Sequence, residues 1–437
     1  MNIAQSSFVR SVVAFLGFVA GFITIIKHVN KTDFPVDMII YRQGVQAFLD
    51  GRSVYSEPMH AGDLALPFIY PPFGALIMVP LTAIPGITDD MAGDIMIVLS
   101  DLLVLACVYL VARAIAGATT RTGAGDATNI PNVAWLVPAV WAAALNFEPV
   151  DLNDGFAQIN IVVMALVVCD LVPRKRWLPQ GWLIGVAAAI KITPLAMLLY
   201  LLLRKEWKPI AVAAASAALA TLAAALFRWG AFVEFFTSKL VDMGSGADFG
   251  VGTDYQSNSS IKGVIQRLYS SQESMTAHNG LTSAAWLLCS LAVVAAGAWL
   301  MLCLMKRGWD TDAWLVNALV MLLISPVSWS HHWIWLTLVI PVFLFRAWGW
   351  RTFTGGSLFT VLAAWTAMLL TTPPKWWFGD NINNQGLPNY QKFLVDDFVW
   401  LAILAVTLYA LALLRPAPAA PRQSYMRDSS TPAKSSA

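Results

Sequence analysis

A chain of 437 residues with 58% hydrophobic and 12% charged side chains lies outside the composition of soluble domains and reads as an all-α polytopic membrane protein. Its formal net charge of +2, without an arginine-rich block or an interleaved basic and aromatic run, excludes a nucleic-acid surface. The four cysteines, Cys107, Cys169, Cys289 and Cys303, fall in apolar runs without CxxC or Cys/His spacing, which excludes a disulfide framework and a cysteine metal site and makes them small core residues.

The first apolar run, Phe8 to Ile26, is longer than a signal-peptide core and has no A-x-A site before Lys27, so a retained anchor is expected. Just beyond it, "PVDMIIYRQG" (35–44) sets Asp37 and Arg42 on a helix expected from Met38 to Leu49, where Asp37 would be a favoured N-cap. The stretch 71–87 is short and cut by Pro80 and Pro85, which suits a half-inserted helix beside the outer loop. Spanning helices are expected near 8–27, 94–113, 132–147, 157–173, 208–228, 283–305, 311–327, 332–348, 354–372 and 396–414. Segment 181–203 has basic residues at both ends and is interrupted by Lys191, Thr193 and Pro194, so it reads as two tilted or broken helices meeting at a polar break. The total is roughly 11–12 transmembrane helices. Residues 1–414 read as one membrane-embedded domain, and the Pro/Ser/Ala-rich residues 415–437 as a disordered cytoplasmic tail. No period of about 20 to 50 residues repeats, which argues against a repeat transporter.

Lysine and arginine collect on alternate loops, in "PRKRW" (173–177), "RKEWK" (204–208), "MKRGW" (305–309), "RAWGWR" (346–351) and the tail. The positive-inside rule places these loops and both termini in the cytoplasm. The opposite loops, 28–93, 147–156, 229–282, 327–332 and 373–395, carry Asp37, Arg42 and Tyr70, then "NFEPVDLNDGFAQIN" (146–160), "DYQSNSSIKGVIQRL" (254–268) and "SPVSWSHHWIW" (325–335). Carboxylates, amides, a histidine pair and aromatics thus converge on the outer face. Such a set suits a sugar, whose hydroxyls take amide and carboxylate hydrogen bonds while its C–H faces stack on Trp and Tyr.

Together "DMIIYRQGVQAFLDGRSVYSEP", "YPPFGAL", "FAQINIVVMALVVCDL", "AIKITPLAMLLYLLLRKEW", "QSNSSIKGVIQRL" and "SPVSWSHHWIW" resemble the actinobacterial GT-C glycosyltransferases of family 87, from about Asp37 to Trp335. Within that family the chain is similar to the polyprenol-phosphate-mannose-dependent α-1,2-mannosyltransferases that build phosphatidylinositol mannosides, lipomannan and lipoarabinomannan. The His331-His332 element favours this branch over the arabinofuranosyltransferases. The resemblance implies a GT-C fold in the plasma membrane with its site on the outer face. It also implies a polyprenyl phosphate mannose donor and a mannosylated phosphatidylinositol acceptor. The sequence has neither a Walker-type lysine loop nor G-x-G-x-x-G, so no cofactor is expected, and metal dependence is not indicated. Many relatives read G-Q-[IV]-N where this chain has Ala157-Gln158-Ile159-Asn160, so the loop is expected to be slightly stiffer and its role unchanged.

By the same resemblance Asp37 is the general base. A lipid phosphate leaves as a phosphomonoester with a second pKa of roughly 6, so it needs cations rather than an acid. Lys191, His331, His332 and Arg42 are the candidates for that charge. Glu148, Asp151, Asp154, Gln158, Asn160, Tyr70, Asn258 and Trp329 are the candidates for acceptor and sugar binding. Each has a plainer reading: a helix cap for Asp37, a solvated acidic turn for the three carboxylates, a snorkelling lysine, an interfacial Trp/His belt, a polar loop around Asn258. Adjacent histidines do not share a helix face, so one of the two is expected to face the site. The "DTD" at 310–312 imitates a metal-binding D-x-D but lies on a short cytoplasmic loop. The competing functions are an arabinofuranosyltransferase with a polyprenyl-phosphate donor and a lipid transporter or flippase. A transporter would distribute polar groups toward both faces, whereas here they crowd one.

Overall fold

The structure is a computed structural model and describes residues 7–121, 133–173, 175–241, 251–350, 352–380 and 382–414. The expected disordered tail, 415–437, lies outside the described residues, as do Arg174 and Arg351 of the basic clusters. Among the described residues seven helices are long and apolar enough to cross a membrane: Ser7–Lys31, Asp89–Gly117, Trp207–Phe227, Asn279–Lys306, Ser330–Gly349, Phe353–Trp376 and Asp397–Leu414. An eighth is formed if Val133–Leu145 and Glu148–Gly155, bent by 63° at their junction, count as one span. The chain is an all-α, multi-pass membrane protein.

Where the sequence suggested further full spans, several apolar segments are short. Asn160–Leu171 has 12 residues and Asp310–Ile324 has 15. At 1.5 Å per residue these helices are about 18 and 23 Å long, against a hydrocarbon core of about 30 Å. The polar break expected in 181–203 is present: helix Trp182–Ile190 ends at an extended Lys191, and a 3₁₀ turn from Thr193 to Met197 leads into Leu198–Leu203. Pro72–Ala83 is the short helix expected at 71–87. The helix expected from Met38 to Leu49 is present as Val36–Asp50. Two stretches without an expected element contain regular structure: a small antiparallel hairpin, Met59–Ala61 with Leu64–Leu66, follows that helix, and the acidic stretch after Phe147 is the helix Glu148–Gly155 with Pro149 in its first turn.

Lipid and side-chain carbon are equally apolar, so helices associate by close packing, and small residues make the approach possible. Gly17 and Gly21, four apart on the first helix, face Val137–Leu145: a Cβ on Gly21 would lie 2.2 Å from the Trp141 ring. Gly181 and Gly185 repeat the device against Trp207–Phe227, where a Cβ on Gly185 would lie 2.1 Å from the Ala213 carbonyl oxygen. That contact fixes the helix that ends at Lys191.

Away from the cavity, several charges of the bundle are paired, which offsets the cost of a low-dielectric interior. His28 Nδ1 lies 3.2 Å from Asp101 and 2.9 Å from Asp154. Arg346 makes two bonds to Asp312, which also accepts from Tyr409, and Arg204 pairs with Asp310. Both aspartates of "DTD" are therefore held in ion pairs with arginines. Of the cysteines expected in the core, Cys107 is buried, whereas Cys289 is exposed on the flank of the long helix Asn279–Lys306.

Gly185→Val forces a branched side chain against a backbone carbonyl, and overpacking of this kind costs about 1–3 kcal/mol or more. We expect a lower apparent melting temperature in detergent, while Gly280→Ala, where nothing lies within 4 Å of an added Cβ, changes it little. Equal melting curves for the two variants would remove Gly185 from the packing argument.

Candidate active site

Helix Val36–Asp50 is capped by Pro35, and no side chain makes a cap bond. Asp37 is thus inside the first turn, and its carboxylate is not occupied in capping. It accepts a hydrogen bond from Gln158 Nε2, brought from the loop between the helices Glu148–Gly155 and Asn160–Leu171. Tyr41, one turn after Asp37 on the same helix face, donates to Gln158 Oε1 at 2.6 Å, and Tyr70 donates to the same oxygen at 3.1 Å. With Asn160 Nδ2 at 3.3 Å as a third donor, Oε1 is saturated and the amide has one orientation, its NH₂ toward Asp37.

The second hydrogen of that NH₂ faces His331 Nε2 at 3.4 Å. Lys191 Nζ donates to Asn160 Oδ1 at 2.6 Å and to His332 Nε2 at 3.2 Å, and lies 5.4 Å from the centre of the Tyr70 ring. Both histidines therefore accept through Nε2, which makes them neutral with their hydrogens on Nδ1; His331 Nδ1 is buried with no hydrogen-bond partner. Lys191 is the positive charge of this group, and the histidines are neutral acceptors beside it.

The expectation that one of the two histidines faces the site is corrected: both line the same cavity. They lie in a tight 3₁₀ segment, Ser330–Trp335, that follows an extended Trp329 and kinks at Trp333. Their rings stand edge to face, 4.8 Å apart, so the cavity runs along both.

The cavity has a volume of about 980 Å³. Asp37, Tyr70, Glu148, Gln158, Lys191, Trp329, His331 and His332 line it, all predicted site residues, and Asn160 lines a small adjoining pocket with Lys191 and His332. Burial pushes the Asp37 carboxyl up to about 6 from its ordinary value, against the opposing pull of the Gln158 amide and of Lys191.

Four predicted residues are placed elsewhere. Arg42 pairs with Asp89 at 2.5 Å and donates to the Ile87 carbonyl, so its charge is turned away from the cavity. Helix Glu148–Gly155 shows Glu148, Leu152 and then Phe156 to the cavity at intervals of four, which leaves Asp151 at the edge of that face and Asp154 on the side of the first helix. There Asp151 pairs with Lys31 at 2.6 Å and Asp154 is buried beside His28. Asn258 is buried and ties loops together, accepting from the Ser328 N–H at 2.8 Å and donating to the Thr253 carbonyl at 2.7 Å. Among the described residues, His28, Asp101 and Asp154 are the one group whose atoms could converge on a metal ion, and none of the three lines the cavity.

Several cavity residues were not singled out from the sequence. Tyr41 has a readable signal, its i+4 spacing from Asp37. Tyr255, Trp376 and Asp380 also line the cavity. The run "TTPPKWWFGD" (371–380) mixes charge with aromatics as "SPVSWSHHWIW" does, and could have been read in the same way.

Glycosyltransferase family 87 matches residues 68–326. A curated relative from Mycobacterium tuberculosis (strain ATCC 25618 / H37Rv), the polyprenol-phosphate-mannose-dependent alpha-(1-2)-phosphatidylinositol mannoside mannosyltransferase, is 32% identical over 324 residues, 74% of this chain and 71% of the relative. The protein of the same name from Mycolicibacterium smegmatis (strain ATCC 700084 / mc(2)155) is 32% identical over 70% of this chain and 69% of its own. A polyprenol-phosphate-mannose-dependent alpha-(1-2)-phosphatidylinositol pentamannoside mannosyltransferase of that organism is 29% identical over 70% and 68%. Among solved structures, ArnT from Cupriavidus metallidurans bound to undecaprenyl phosphate aligns over 92% of this chain and 76% of its own at 15% identity, with a TM-score of 0.35, too loose a likeness to carry fold or function across.

Gln158→Leu removes the hydrogen bond that holds the Asp37 pKa down, so the carboxyl should titrate above about 6. The check is an infrared pH titration of the carboxyl C=O band that disappears in Asp37→Asn. A midpoint unchanged or lowered in the leucine variant would disprove the link.

Proposed function

The chain belongs to glycosyltransferase family 87, and on that premise we propose that it transfers mannose from polyprenyl phosphate mannose to a 2-hydroxyl of a mannosylated phosphatidylinositol, forming an α-1,2 linkage. The site faces the outer side of the plasma membrane, with both termini cytoplasmic. The activities for which the relatives are named support the donor and the acceptor. The observation that carries the mechanism is the meeting of Asp37, Lys191, His331 and His332 on one cavity. A transporter would share a charge at membrane depth, but it would spread its polar groups toward both faces instead of gathering them at one cavity.

In this reading Asp37, ionised above about pH 6, takes the proton of the acceptor hydroxyl. The freed oxygen attacks the anomeric carbon of the β-linked mannosyl phosphate, and the bond from that carbon to the phosphate oxygen breaks. Polyprenyl phosphate leaves with the bonding electron pair, and Lys191 Nζ, held in place by Asn160 and His332, stabilises the growing negative charge. In this reading the charge of the leaving group is met by a side chain, with neither metal nor cofactor. One displacement inverts the centre, so β donor gives α product. Glu148 has no nucleophilic role: its oxygens accept from Ser330 and Trp376 and hold the acceptor end of the cavity.

Asp37→Asn keeps the shape and cannot accept the proton, so turnover of purified protein in detergent should fall by ~10²- to 10⁴-fold with folding intact. In the wild type kcat/KM should fall about tenfold per pH unit below the Asp37 pKa, because the protonated acid is not a base. Activity of the variant within a few-fold of wild type would reject the assignment. Lys191→Ala should lower kcat more than acceptor affinity, with His331→Ala and His332→Ala in the same direction. Unchanged donor kinetics in all three would place the phosphate elsewhere. Nuclear magnetic resonance of the product should show an α-mannoside, and a trapped mannosyl-enzyme would overturn single displacement.

A further inference from the structure

We propose that Tyr255, Trp376 and Asp380 form a second sugar subsite, which holds the sugar next to the one whose hydroxyl is attacked, so that the acceptor is a glycan of at least two sugars. This rests on the transfer reading above. A volume of about 980 Å³ is at the upper end of the ~300–1,000 Å³ usual for one small-molecule ligand, and the network around Asp37 occupies only part of its wall. The three residues line the same cavity from two other segments.

Their geometry is that of a sugar corner. The Tyr255 ring lies 6.1 Å from Trp329 and 6.3 Å from Trp376, inclined by 57° and 61°, so three faces are offered in different planes to the C–H patches of a pyranose. The polar groups alternate with them. Tyr255 donates its hydroxyl hydrogen to Asp380, and Trp376 Nε1 donates to Glu148 at 2.5 Å. Glu148 also accepts from Ser330, the residue before His331, so its carboxylate joins this corner to the Asp37 end. Two carboxylates here repel a phosphate, and what they accept from is a neutral sugar's hydroxyls.

The corner is also pre-built. Buried Arg267 donates to the carbonyls of Asp254, Tyr255 and Asn258 while paired with Asp396. Gln256 Nε2 donates to the Gly379 carbonyl at 2.5 Å, which ties one segment to the other, and fully buried Lys375 pairs with Asp397 at 3.1 Å. Residues held this way lose little freedom on binding, which is how a recognition surface differs from a loose loop.

The test compares octyl α-mannoside with octyl α-dimannoside as acceptors for polyprenyl phosphate mannose in detergent. The wild type should show at least a tenfold higher kcat/KM for the dimannoside. Tyr255→Ala and Asp380→Asn should each erase most of that preference through the acceptor KM, with the donor KM unchanged. Equal use of the two acceptors by the wild type would overturn the subsite and leave mannosyl transfer standing. No transfer to either would overturn the transfer reading and the subsite with it. Should a variant fold poorly, Tyr255→Phe retains the ring; a preference that survives both its loss of the hydroxyl and Asp380→Asn removes Asp380 from the subsite.

Discussion

The arrangement of the cavity depends on one side-chain amide. Gln158 spends both hydrogens and its oxygen on groups from four other parts of the chain: Asp37 on one side, His331 on another, and Tyr41, Tyr70 and Asn160 at the oxygen. An amide is suited to this place because it is neutral, cannot titrate, and offers donors and acceptor in one rigid plane. A carboxylate there would repel Asp37, and a hydrocarbon would leave two tyrosine hydroxyls unpaired in a buried site, where each lost bond is costly.

The backbone beneath Gln158 is built to hold it. Ala157 has φ of 51°, in the left-handed region that costs a residue with a Cβ ~1–2 kcal/mol. The Gln158 N–H donates to the Asn153 carbonyl at 2.8 Å, so the turn closes on the end of the preceding short helix. The departure from glycine noted in the sequence therefore falls at the one residue of this loop where the difference is felt, and the strain is retained beside the residue that orients Asp37.

A bilayer gives the rest its form. Inside it, backbone and charge must find partners within the protein, and non-helical chain is tolerated only where it is buried or borders a cavity. The short and broken helices follow from this. Trp182–Ile190, Asn160–Leu171 and the 3₁₀ segment Ser330–Trp335 all terminate or begin at the cavity, and the residues at those ends, Lys191, Asn160, His331 and His332, are the ones that meet there. Full-length spans would have carried these side chains past one another.

The sequence by itself determined the class of the molecule, because apolar runs and breaks are local properties: the long apolar spans, the polar interruption at Lys191 and the ordered motifs that carry Asp37, Gln158, Lys191 and the histidines were legible, while the short helices Asn160–Leu171 and Asp310–Ile324 read as full spans. It also carried the helix phase that turns Asp154 away from Glu148, but that phase needed the boundaries of an eight-residue helix that read as an acidic turn, and Asp151 is drawn off by its contact with Lys31. What tertiary structure alone decided is pairing. Whether Arg42 serves a phosphate or Asp89, whether both histidines reach one cavity, and which tryptophans and tyrosines close its far end depend on contacts between residues from 45 to 228 positions apart. Such contacts are set by the packing of whole helices, where glycines at 181 and 185 admit a neighbour to within backbone distance, and no local pattern records which neighbour it will be.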